Sequence, residues 1–143
     1  MSPRAEAVAA AAWWAQRLAS GAAAHDVGAA QSNLFANAVS ALVARQRDQA
    51  QIERFRDALA ELIEDHVGGD AWRPDNRLWG SAMRIVEVGY APDEILSGAA
   101  DQAGFELKLS DLPLKTVMWI NPGEVKVAEG YSAPVTTVWR SQR

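Results

Sequence analysis

In the last third of the chain, residues 115–120 (Lys-Thr-Val-Met-Trp-Ile) and the alternating residues 124–128 (Glu-Val-Lys-Val-Ala) flank Asn121-Pro122-Gly123. Period-two alternation gives a strand one apolar face, and a Pro-Gly pair between two such runs is a turn signal. This predicted hairpin constrains the fold most, because one of its faces must be buried against another layer. With Pro122 and Gly123 as a two-residue loop, Ile120 faces Val125 and Met118 faces Val127, and these pairs form the buried face. The same register sets Trp119 beside Lys126 on the opposite face, with Val117 and Glu124. Pro-Gly is not a preferred hairpin turn, so a slip of one residue would invert the two faces. A third strand is expected over 135–139, after the 130–134 loop.

The covering layer is expected from the first half, where 20 of the 28 alanines lie within residues 1–67. Ser2 can cap a first helix, Pro3 suits its first turn and Gly21 can end it. Ala7, Ala11, Trp14 and Leu18 share one of its faces, and Glu6, Trp13, Arg17 and Ser20 lie on another. Residues 22–30 read as a loop. A second helix is predicted over 31–44, with Leu34, Ala38, Ala41 and Leu42 inward. Asp48 and Gln51 have capping-box spacing. Ile52, Phe55, Leu59, Leu62, Ile63 and His66 then follow at helical period until Gly68-Gly69 stops the third helix. Pro74 and Gly80 mark a connector over 68–82. Residues 83–90 fit both periodicities, but Ile85, Val86 and Val88 favour a strand. Pro92 and Asp93 open a short helix with Ile95, Leu96, Ala99 and Ala103 inward, closed by Gly104.

The expected class is therefore α+β: about three N-terminal helices, one short helix and a small C-terminal antiparallel sheet. Residues 1–143 fit a single domain, with a helical part over 1–67, the connector over 68–82 and an α+β part over 83–143. The first apolar run, residues 5–15, is weighed as a signal peptide, but Glu6 interrupts it and Arg4 is its main basic flank. Gln16 and Arg17 close it well short of the roughly 20 residues a membrane span needs. A cytoplasmic protein with no membrane association is expected.

Catalytic signals are sparse. With no cysteine, the chain has no disulfides, thiolate metal sites or thiol nucleophile. His25 and His66 are too far apart for a local metal motif, and His66 reads as a helix-terminal residue. No phosphate-binding glycine loop or GxSxG element occurs. No catalytic residue, metal or cofactor is expected, and the reading leans away from an enzyme. A net charge of −4 disfavours general nucleic-acid binding. Arg45, Arg47, Arg54 and Arg56, interleaved with Asp48 and Glu53, read as a solvated helix face. Glu61, Glu64 and Asp65 form an acidic patch that either is solvated or meets a basic partner.

Six tryptophans against two tyrosines reverse the usual balance. Tryptophan is enriched at binding hot spots. Trp14, Trp79 and Trp139 are assigned to the core, and Trp13, Trp72 and Trp119 to partial exposure. Tyr131 lies in the loop before the third strand and can present its ring.

Residues 83–138 resemble small uncharacterised proteins of actinobacteria and of phages or prophages of Gram-positive bacteria. The resemblance rests on Lys115, Thr116, Met118, Trp119, Val125, Val127, Gly130 and Tyr131, and on the Gly89-Tyr90-Ala91-Pro92-Asp93 step. It implies a small cytoplasmic accessory protein carried on a mobile element, and it supplies no catalytic residues. The leading expectation is a non-enzymatic protein that binds a partner protein through Trp13, Trp119, Tyr131, Glu61, Glu64 and Asp65. The alternative is a small-molecule or nucleotide-binding domain. Its pocket between sheet and helices would be lined by Trp119 or Tyr131, with Lys115 or an arginine holding an anion. Helix-mediated homo-oligomerisation through the first helix is a third reading.

Overall fold

The computed structural model describes residues 2–20 and 49–142. The expected second helix, the His25 loop, Gly21, Asp48, Arg45 and Arg47 lie outside them. Helix α1 spans Arg4–Ser20 and helix α2 spans Gln49–Val67. The Pro3 carbonyl accepts from Ala7 N–H at 2.9 Å and opens α1. Ala7, Ala10, Ala11, Trp14, Ala15 and Leu18 are buried, and α1 lies packed against α2. On α2, Ile52, Phe55, Leu59, Ile63 and Val67 are buried at i, i+3, i+4 spacing. At Gly68 a Cβ would stand 2.8 Å from the Glu64 carbonyl, and Gly69 has φ +77°, so the pair ends α2 as expected.

Four strands form one antiparallel sheet in the order β1-β2-β3-β4. They are β1 (Ile85–Val88), β2 (Thr116–Asn121), β3 (Glu124–Glu129) and β4 (Val135–Arg140). Residues 83–90 thus contribute a strand, preceded by a 3-10 turn over Ser81–Met83. Trp119 pairs with Lys126, Met118 with Val127 and Ile120 with Val125, so the two-residue loop and its register hold. The register of β3 with β4 shifts between Val125 and Lys126. The short helix α3, Glu94–Ala103, opens where the Asp93 side chain accepts from Ile95 N–H at 3.1 Å. It closes at Gly104, whose φ is +90°.

The α+β class and its layering follow from this arrangement. α1 packs against α2 and against β2, β3 and β4, and α3 packs on α2. Val86, Val88, Thr116, Met118, Ile120, Val125 and Val127 form the covered side of the sheet. Two core assignments reverse. Trp79, expected in the core, is 46% exposed, with the Arg73 guanidinium 4.3 Å from its ring centroid. Trp72, expected at the surface, is buried. Trp14 is buried as expected and Trp139 is half-buried.

Glu6, assigned to a different face of the first helix from Ala7, Ala11, Trp14 and Leu18, is buried with them. The first turn of α1 lies beside the β2–β3 turn, and Glu6 Oε2 accepts from Gly123 N–H at 3.0 Å. Because α1 is sandwiched between α2 and the sheet, its buried arc is wider than a single helical stripe.

Candidate protein-binding surface

The helices leave one side of the sheet uncovered. Strand register aligns Ile85, Trp119, Lys126 and Thr137 across it in one row, and Glu87, Val117, Ala128 and Val135 in the next. Trp119 sits on a central strand of this face and is half-buried, so its indole is held by neighbours while part remains in solvent. Beside it runs a charged strip. Lys126 Nζ lies 3.3 Å from Glu124 Oε1, and Arg140 Nη2 donates to Glu124 Oε2 at 2.7 Å. The hydrogen bond from Arg140, followed by Lys126, holds the Glu124 carboxyl below its ordinary pKa.

The connector adds apolar surface at the β1 entry. Leu78, Trp79 and Met83 are 75%, 46% and 64% exposed. The turn carrying Met83 lies against β2 and leads directly into β1. Arg84 holds this connector. Its side chain is fully buried, and Nε donates to the Ile120 carbonyl at 3.0 Å. Nη1 donates to the Trp79 carbonyl at 2.7 Å. Nη2 donates to the Arg77 carbonyl at 2.7 Å and to Asn121 Oδ1 at 2.9 Å. Burial lowers the guanidinium pKa from its usual value. Arg84 was not singled out in the sequence, although it alternates with Val86 and Val88, the inward residues of β1.

The other candidate residues are dispersed. Lys115 and Tyr131 come together at the far end of the sheet, where Lys115 Nζ lies 5.7 Å from the Tyr131 ring centroid and 3.1 Å from that of Tyr90. Tyr90 is a further member that the spacing did not suggest, and both tyrosines are about four-fifths exposed. Trp13 is half-buried on α1, edge-on to Trp14, with the Arg17 guanidinium 4.5 Å over its ring. Arg17 in turn donates to both carboxylate oxygens of Glu129, tying α1 to β3. Glu61, Glu64 and Asp65 lie on α2, where Glu64 accepts from Arg4 at 3.2 Å. The structure therefore does not gather Trp13, Trp119, Tyr131 and the three acids into one surface. Among the described residues no group of three or more acidic or histidine side chains is placed to hold a metal ion. None of the described helices is long and apolar enough to cross a membrane.

The model of the BTG family matches residues 16–139. The chain belongs to the BTG family. Its fold is similar to the solved BTG/Tob domain of C. elegans FOG-3, with a TM-score of 0.65 and 16% identity over 96% of this chain and 82% of that one. No curated protein matches the sequence. The family match corrects the resemblance to actinobacterial and phage proteins, since the whole hairpin of residues 115–134 lies inside the BTG span. The misreading has a physical source: alternating apolar residues about a Pro-Gly turn describe a hairpin and carry little information about ancestry. BTG-type domains are non-enzymatic and bind protein partners.

Proposed function

We propose that this BTG-family chain binds a partner protein on the open face of its sheet, with Trp119 as the central anchor. The observation that carries the reading is the placement of Trp119. It is a half-buried indole on an inner strand, flanked by Ile85 and Lys126 and set near the exposed apolar connector. Hot spots combine such an anchored aromatic with a surrounding polar rim, here Lys126, Glu124 and Arg140.

The test is capture of a partner by the tagged chain, compared with Trp119→Ala and Trp119→Phe. The reading expects a dominant partner to be lost with alanine and partly retained with phenylalanine, while both variants melt cooperatively near the wild type. Equal capture by the alanine variant would move the interface elsewhere. Unfolding of that variant would make Trp119 a core residue.

A further inference from the structure

A second site lies beside the β2–β3 turn and does not include Trp119. It is a cleft of about 420 Å³. Glu6 of α1, Trp72 and Arg77 of the connector, Gly123 of the turn and Trp139 of β4 line it. Its volume falls within the range of small-ligand sites, about 300–1,000 Å³.

Glu6 is the unusual element. It is 7% exposed, and its hydrogen bond is the one that Oε2 accepts from the neutral Gly123 N–H. Among the described residues no cation lies within 4.0 Å of its carboxylate, and Oε1, with no protein donor, stays accessible to solvent. Glu6 stands in the first turn of α1, where the helix N-terminus favours a carboxylate, so its charge is held in place with one oxygen left for a ligand. Two indoles line the same cleft, and tryptophan is the best aromatic partner for an organic cation. A carboxylate with two indoles is the composition that recognises guanidinium and alkylammonium groups.

Arg77 sets the rest of the ligand. Its side chain is exposed, and its Cζ lies 3.6 Å from where a Cβ on Gly123 would stand. It forms no ion pair with Glu6. A guanidinium there repels the cationic head of a ligand and attracts an oxygen further along it.

We propose that this cleft binds a basic amino-acid residue: its cation meets Glu6 between Trp72 and Trp139, and Arg77 takes a backbone oxygen. The site stands apart from the proposed docking by Trp119.

The test follows the indole and amide signals of the whole chain by NMR during titration with N-acetyl-arginine methylamide. The Trp72 and Trp139 indoles and the Gly123 amide are expected to shift saturably. Glu6→Gln keeps an acceptor for Gly123 N–H, and it is expected to weaken binding at least tenfold. Trp139→Leu, on the sheet edge, should weaken it about fivefold and serves if the Glu6 variant does not fold. Trp119→Ala should leave this binding unchanged, which separates its failure from failure of the docking surface. Methylguanidinium alone should bind more weakly; equal affinity would reject the Arg77 contact and assign the cleft to free cations. Absence of saturable shifts, equal binding by Glu6→Gln, or equal binding of N-acetyl-leucine methylamide would overturn the proposal.

Discussion

Arg84 Nη2 donates to Asn121 Oδ1 at 2.9 Å across the β1–β2 pair, and the same nitrogen holds the Arg77 carbonyl at 2.7 Å. One guanidinium therefore ties the sheet to the connector that precedes it. Replacing Arg84 by alanine strands several carbonyls and is expected to cost about 3–5 kcal/mol, the usual effect of breaking a buried polar network. Lysine keeps the charge but not the planar fork, so it should restore only a minor part. Urea denaturation of both variants checks this, and equal stability of Arg84→Lys and wild type would contradict it.

The start of α3 depends on one side chain. Asp93→Ala removes the acceptor for Ile95 N–H and should destabilise the domain by about 1 kcal/mol. Asp93→Ser should recover most of that loss. Thermal melts of the three proteins at one pH give the comparison.

The Glu124 carboxyl titrates below its ordinary range because Arg140, and then Lys126, stabilise its charged form. A depressed acid pKa contributes stability that is present above the unfolded value and disappears as pH falls through the folded one. Glu124→Gln should therefore lower the melting temperature at neutral pH and converge with wild type in acid. Solvent screening keeps the effect below about 1 kcal/mol. A deficit that persists unchanged at low pH would mean the pair acts through packing.

Phe55 and Trp119 should separate core from surface. Phe55 is fully buried and its ring centroid lies 5.9 Å from that of Phe105. Phe55→Ala is expected to cost about 3–5 kcal/mol. Trp119→Ala removes a larger side chain, yet it should cost less because part of the indole is already in water. Chemical denaturation ranks the two, and a reversed order would place Trp119 in the core.

Much of the backbone was legible in the residues. The α2 stripe, the Asp93 and Gly104 ends of α3, and the pairing of Trp119 with Lys126 are local patterns, set by a period or by turn chemistry within a few positions. Trp72 and Trp79 were assigned the wrong way round because the connector has no period from which to read a face. Arg84 was readable in principle, since it alternates with Val86 and Val88, but an arginine on an inward position makes sense only when its acceptors are known.

Hydrophobic periodicity and turn chemistry alone pointed to the class and to the hairpin, because both act between near neighbours in the chain, while the choice between its two registers came from the paired strands. The tertiary structure decided what meets across long separations. It brought Glu6 to Gly123, Arg84 to Asn121, and Tyr90 to Lys115. Those contacts depend on how α1 and the connector lie against the sheet, and a helical wheel or a strand alternation describes an element before it has neighbours.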